Sequence, residues 1–323
     1  MTETPHSPGA DAPGTDPESF QQLLDVLALE ELGTGRQHIS IPGVENRTEV
    51  TAFRGRSQRM PHGRVFGGQV LSQALLAAGL TVRSVAPERA VHSLHAYFMR
   101  PGDDKEPIRF AVELLRDGNS FSTRHVHALQ DGRPILSMTA SFQDPAGGLD
   151  HHDVMPQVTP PEAVPSVSQI YAGLEDDSRV EYLRSRPIEI RHVEGRTDFG
   201  TGEPGPAEQR VWMRAVGDLP DDPLVHAAAI AYASDYTLLE PVLRRHGVGW
   251  SDRRLRVASL DHAMWFHRPI RWDDWILYTQ SSPSAQGGRG LAAGRMFSRD
   301  GTMLVTTAQE GMMRVKDLPA SSD

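Results

Sequence analysis

Three kinds of side chain in this chain can do covalent or acid–base work: serines among glycines, clustered histidines, and a carboxylate inside an apolar run. Gly118-Asn-Ser-Phe-Ser122 approaches the Gly-x-Ser-x-Gly pattern of a nucleophile turn. It lacks the last glycine and sits between two strand-like runs instead of leading into a helix, so it reads as a turn. Gly200-Thr-Gly-Glu-Pro-Gly205 fits Gly-x-Gly-x-x-Gly, yet it carries a proline and no helix follows, so it reads as a loop and not a dinucleotide cradle. His151-His152-Asp153 lies in a polar stretch and reads as solvated. His125 and His127 share one strand face, and His92 and His95 fall near an expected sheet edge. With no carboxylate at ligand spacing, these histidines read as structural. Asp235 lies within a long apolar run, where burial would raise its pKa toward that of a useful general base. Its plainer reading is a polar residue covering a helix end. The chain has no cysteine, which excludes a thiol nucleophile, thiolate metal sites and disulfides.

The elements that must position these residues occur twice. His92-Ser-Leu-His-Ala-Tyr-Phe-Met-Arg-Pro101 is echoed by Ser259-Leu-Asp-His-Ala-Met-Trp-Phe-His-Arg-Pro269. Phe-x-Arg-Pro recurs 168 residues on (98 to 266), and the Asp-Gly pairs 131–132 and 300–301 recur 169 residues on. A period this long marks a duplicated domain and not a solenoid. In the first copy a short helix over 19–33 and strands at 36–41 and 48–56 precede a strongly apolar helix, Gln69–Val82, then strands at 90–100, 107–116, 121–130 and 133–143. The second copy repeats the order: strands at 187–193 and 209–216, a helix over 224–245, and strands at 255–267, 274–282, 290–298 and 303–315. A variable helix is expected to fill 167–184. The pattern predicts an α+β fold in which each copy wraps an antiparallel sheet around a long helix, because each needs the other to bury its apolar face. The expected divisions are a disordered tail 1–18, a first domain 19–145, a linker 146–184, a second domain 185–316 and a tail 317–323.

Composition narrows the partners. The 323 residues suit two domains, and a net charge of −9 argues against a nucleic-acid surface. Only two of the 33 basic residues are lysines (Lys105 and Lys316), so any anionic ligand would meet arginine. No apolar run approaches the roughly 20 residues needed to span a bilayer. The N-terminal stretch lacks the basic and apolar regions of a signal peptide, so a cytoplasmic location is expected.

The chain resembles the type II acyl-CoA thioesterases, the TesB-like family. The resemblance rests on Gly63-Arg-Val-Phe-Gly-Gly-Gln69, His92–Gly102, Leu115-Arg-Asp-Gly-Asn-Ser-Phe-Ser122, Tyr232-Ala-Ser-Asp235, Leu260–Pro269 and Gln309-Glu-Gly-Met-Met-Arg314. These run in order over roughly residues 19–315. The resemblance implies a double hotdog fold and hydrolysis of fatty acyl-CoA to free fatty acid and CoA, without metal or bound cofactor. It implies a catalytic Asp, Thr and Gln that hold the attacking water. The Asp matches Asp235 and the Gln matches Gln309, whereas the Thr position holds Ser259, which keeps the hydroxyl but loses the methyl that restricts χ1. By analogy with hotdog enzymes, the backbone N–H groups of Gly67 and Gly68 are candidates for the oxyanion. Arg289, in Gly287-Gly-Arg-Gly290, matches a family arginine and is the candidate for the CoA phosphates, on a glycine loop expected to be flexible.

Asp261 and His262 are the neighbours expected to orient the site. Exposed sheet edges and the resemblance point to a homo-oligomer. By the repeat spacing, the first-copy counterpart of Asp235 falls near Gly67, Gly68 or Gln69, none of them a base, so one active site per chain is expected. Two rivals remain: a hotdog enoyl-CoA hydratase, which resembles Asp-x-Asn-Pro-x-His although Glu240 stands five residues after Asp235, and a non-catalytic acyl-CoA-binding module.

Overall fold

The computed structural model describes residues 17–41, 44–174, 177–198 and 202–316. Residues 1–16 and 317–323 of the expected tails, and Gly200 and Thr201 of the glycine-rich loop, lie outside the described residues. The first half runs α1 (Pro17–Leu27), β1 (Glu30–Ile41), β2 (Val44–Gly55), α2 (Gly67–Arg83), β3 (Ala90–Phe98), β4 (Ile108–Asp117), β5 (Phe121–Gln130) and β6 (Arg133–Gln143). A connecting segment carries a 3-10 turn at Pro161–Ala163 and two short helices, α3 (Val167–Ile170) and α4 (Ser178–Arg184). The second half runs β7 (Ile188–His192), β8 (Glu208–Ala215), α5 (Pro223–Ser234), α6 (Glu240–Arg245), β9 (Leu255–Ser259), β10 (Asp261–Phe266), β11 (Ile276–Gln286), β12 (Arg289–Ser298) and β13 (Met303–Val315). No helix among the described residues is long and apolar enough to cross a membrane.

The strands form one sheet in the order β1-β2-β4-β5-β6-β3-β10-β13-β12-β11-β8-β7, with β9 pairing β13 off that path. The second half of this order mirrors the first, which is the duplication seen in the sequence. The halves meet where β3 pairs antiparallel with β10, from Tyr97 opposite Asp261 to Ser93 opposite Trp265. His92 and His95 are therefore on a central strand and not near an edge, because the other half completes the pairing. The Asp131-Gly132 turn that joins β5 to β6 has positive φ at both residues, the geometry that suits a two-residue hairpin. The fold is the double hotdog: in each half, an antiparallel sheet wraps a buried helix.

The two central helices, α2 and α5, lie antiparallel against each other. A Cβ on Gly68 would stand 2.3 Å from the Tyr232 carbonyl oxygen, and one on Gly79 would stand 2.4 Å from the Leu224 side chain. Alanines 74, 77 and 78 on α2 and 227, 228, 229, 231 and 233 on α5 are buried in the same core. Small residues let the backbones approach, and this contact carries the N-terminus of α2 to the C-terminus of α5.

The helix expected over 19–33 ends at Leu27, its last residues joining β1 from Glu30, and the helix expected over 167–184 is divided into α3 and α4. Two further expected elements are broken beside Asp235. The helix expected over 224–245 stops at Ser234 and resumes at Glu240. Pro241 lacks an N–H and is tolerated in the first turn of α6, but it cannot lie inside a continuous helix. The strand expected over 255–267 divides at Leu260. Ser259 opposes Gly311, whereas Ala263 opposes Ala308, so the register slips by one residue between them. That bulge is held by Leu260 N–H donating to the Glu310 carbonyl (2.9 Å) and by the Asp261 carboxylate accepting from Glu310 N–H (2.6 Å).

Candidate active site

Two of the three candidate residues sit where their elements end, and the third faces them from inside a strand. Asp235 is the C-cap of α5. Ser259 is the last residue of β9, at the bulge. Gln309 points inward from the middle of β13 and is 1% exposed. The Gln309 side-chain amide donates to Asp235 Oδ1 at 2.7 Å and lies 2.8 Å from Ser259 Oγ. Ser259 Oγ is 3.5 Å from Asp235 Oδ1, long for an O–H···O bond. The three residues, 24 to 74 positions apart in sequence, thus form one polar cluster in an apolar interior.

Asp235 has an unusual acidity for this reason. Part of the residue reaches the surface, but its carboxyl group is enclosed. Burial raises its pKa from 3.8 to about 6, against hydrogen bonds from Gln309, the Gly68 N–H and Ser259 that favour the ionised form. Gly67 and Gly68 open α2 from the other half, and the Gly68 N–H at this helix start donates to the carboxylate. A Cβ on Gly67 would lie 2.6 Å from Asp235 Oδ2, so only glycine lets the two halves close here.

The surroundings are apolar and aromatic. Phe66 stacks on Tyr236 with ring centroids 4.6 Å apart and meets Tyr232 edge-on at 5.2 Å. Phe98, of the repeated Phe-x-Arg-Pro, borders Gly67. Tyr232 donates to Gln58 at 2.6 Å, a bond from the second half to the first. None of these aromatic walls was singled out as a site residue in the sequence. The available signal was Tyr232, one helical turn before Asp235.

His262, on β10, is fully buried, and its Nε2 is 3.0 Å from Ser234 Oγ. Burial presses its pKa down to about 4, while proximity to Gln309 works slightly the other way. Neither Gln309 Oε1 nor His262 Nδ1 has a partner of good hydrogen-bond geometry. The imidazole is therefore neutral near pH 7 and stands beside the amide that holds Asp235. Asp261 instead holds the bulge.

Arg289 lies elsewhere on the same ladder. It opposes Met312 on β13, three residues or about 10 Å from Gln309. Gly287 and Gly288 both have positive φ and make a tight hairpin turn, so the expected flexible loop is instead a fixed corner. The Arg289 guanidinium is half-exposed, pairs with Glu310 at 3.0 Å and borders a 240 Å³ pocket walled by Val242, Leu255 and Met313. A larger cavity of 340 Å³ between the connecting segment and β7 contains none of the three clustered residues.

The other sequence features have structural roles. Ser120 is exposed on the β4–β5 turn, and Ser122 is buried between Asp117 and Arg89. His92 bonds to Ser141 at 2.8 Å, and His151 and His152 are exposed. Glu240, the residue five after Asp235, is buried in a separate network with His192 (2.8 Å), Gln209 (2.8 Å) and Trp250 (3.0 Å). The counterpart of Asp235 in the first half also differs from expectation. Aligning the starts of α2 and α5 (223 − 67 = 156) places it at Gly79, not near Gly67, because the connections after the two helices differ in length. Gly79 is no base either.

Comparison with known proteins agrees with this architecture. Residues 178–312 match the family described as Acyl-CoA thioesterase, and residues 56–143 match the Acyl-CoA thioesterase N-terminal domain. The chain is 40% identical to Acyl-CoA thioesterase 2 of Haemophilus influenzae over 82% of its own length and 93% of that protein. It is also 40% identical to human Acyl-coenzyme A thioesterase 8, over 82% and 85%. The crystal structure of acyl-CoA thioesterase II TesB2 from Mycobacterium marinum superposes with a TM-score of 0.68 at 39% identity, covering 94% of this chain and 99% of that one. With two-domain matches in register and this identity over most of its length, the chain belongs to the acyl-CoA thioesterase family.

Proposed function

We propose that this protein hydrolyses fatty acyl-CoA to a free fatty acid and CoA, with Asp235 as general base and Ser259 and Gln309 holding the attacking water. The observation that carries the reading is the buried Asp235–Gln309–Ser259 cluster, whose carboxylate has its pKa raised to about 6. A base with that pKa is mostly ionised at neutral pH yet far more basic than a surface aspartate. The long Ser259–Asp235 separation leaves the hydroxyl available to a water that also meets the carboxylate. As the water oxygen attacks the thioester carbonyl, its proton passes to Asp235. The carbonyl oxygen gains charge beside the start of α2, with the Gly67 N–H as the candidate donor because the Gly68 N–H is already given to Asp235, and collapse expels the CoA thiolate, which takes the proton. His262, neutral and bonded to Ser234, takes no part in proton transfer.

The same reading makes acyl-CoA the substrate with no bound cofactor, Arg289 the contact for its phosphates, one active site per chain, and a cytoplasmic homo-oligomer the working form. The hydratase rival is disfavoured because Glu240 is committed to His192, Gln209 and Trp250. The binding-module rival is disfavoured because Ser259 keeps its hydroxyl in contact with Gln309. Thiol release from a panel of acyl-CoAs tests all three. Saturable release supports hydrolysis, hydration of an enoyl-CoA without thiol release supports the hydratase, and binding without turnover supports the module.

A further inference from the structure

We infer that the outer face of the first-half sheet carries a binding site for a divalent transition-metal ion of the zinc class, formed by Glu113, His125 and His127. The proposal does not rest on the catalytic reading. His125 and His127 lie two residues apart on β5, so both project from the same face, and Glu113 on β4 is the direct cross-strand partner of His125. Strand pairing thus supplies the carboxylate that the sequence spacing concealed. One ligand atom from each residue lies within 4.8 Å of the others.

The two rings converge. Their centroids are 4.6 Å apart, but their Nε2 atoms are only 3.2 Å apart. Two nitrogens at zinc distance on one tetrahedral ion would stand about 3.3 Å apart. A hydrogen bond between the rings can give a similar spacing, but it leaves the cluster incomplete. His127 Nδ1 is buried and has no partner, and Ser137 Oγ approaches the same His125 Nε2 at 3.2 Å. Glu113 has no ion pair among the described residues. The free His127 Nδ1 is the nitrogen on the far side of that ring from the ion, so the converging Nε2 atoms and the carboxylate, and not this atom, point to the ion. An ion bound at both Nε2 atoms would also neutralise Glu113, and Thr139 Oγ1, 3.1 Å from His125 Nδ1, would hold that ring in the tautomer the metal needs. Three protein ligands on a half-buried sheet face leave a coordination position open to solvent.

The test is Zn²⁺ binding to the full chain, by competition with a chromogenic chelator, with Co²⁺ absorption as a second readout of nitrogen and oxygen coordination. The expected result is one ion per chain in the wild type and affinity reduced about 100-fold or more in H125Q/H127Q, with thiol release from acyl-CoA unchanged. Glu113→Gln, which keeps both rings, should weaken binding by about tenfold or more and covers the case in which the double variant misfolds. H151Q/H152Q should bind as the wild type does. Equal affinity in the wild type and Glu113→Gln, or loss of the ion in H151Q/H152Q alone, would overturn the assignment.

Discussion

Replacing Asp235 with asparagine should separate stability from activity in opposite directions. Folding moves the carboxyl pKa from 3.8 to about 6. A rise of about two units corresponds to roughly 3 kcal/mol at 1.36 kcal/mol per unit. The sign follows from proton counts. Between pH 4 and 6 the folded chain holds a proton that the unfolded chain has released, so stability falls as pH rises through this window. Above pH 6 the full penalty is present, and below pH 4 it is gone. Asparagine carries no charge to desolvate and can still accept from Gln309. Asp235→Asn should therefore raise stability at pH 7 by up to about 3 kcal/mol, less where water reaches the residue, and by nothing near pH 3.5. Turnover should fall by at least about 10²-fold, the typical contribution of a general base. In the wild type, kcat/KM should halve near pH 6 and fall to about a tenth at pH 5, where an ordinary aspartate would still be almost fully ionised. The assay follows loss of thioester absorbance with an acyl-pantetheine, which has no phosphate to titrate in this range, alongside denaturant unfolding at both pH values. An acid limb centred near pH 4, or wild-type turnover in the variant, would refute the reasoning.

Gln309→Ala should lose most turnover, since Asp235 and the water both lose a partner; a change confined to KM would make Gln309 a binding residue. Ser259→Thr should keep or raise kcat and Ser259→Ala should lower it, and equal kcat for the serine and alanine enzymes would remove Ser259 from the mechanism. Arg289→Ala should raise KM for acyl-CoA with kcat little changed, and should affect an acyl-pantetheine less; equal effects on both would assign Arg289 to the fold. Titration with a non-hydrolysable acyl-CoA should reach about one equivalent per chain, and two equivalent sites would contradict the one-sided cluster.

The strands of each half are largely legible along the chain because β3 to β6 and β11 to β13 announce themselves by apolar runs and Asp-Gly turns, whereas their order in the sheet is not. What the sequence concealed was set by contacts between the halves. Nothing local to Ala90–Phe98 says that β10 will pair with it, so His92 and His95 looked peripheral. The break after Ser234 was written in Pro241, but the apolar run through Leu238 and Val242 outweighed it. The bulge after Ser259 depends on Glu310 fifty residues later. Glu113 and His125 become neighbours only when β4 meets β5. Asp235, Gln309 and Ser259 were reached through family resemblance, since residues this far apart have no spacing to read.

The meeting of α2 and α5 has a consequence for what each half would be alone. Asp235 belongs to the second half, while the helix start that faces it and the glycine that leaves room for it belong to the first. Separated, the second half would expose β10 as an unpaired edge, and its carboxylate would return to the acidity of a solvated aspartate. The proton affinity of one side chain is thus a reporter of docking. If the connecting segment were cut, the titration of Asp235 would follow reassembly of the fragments, and its midpoint would depend on their concentration, a dependence that the covalent link abolishes in the intact chain.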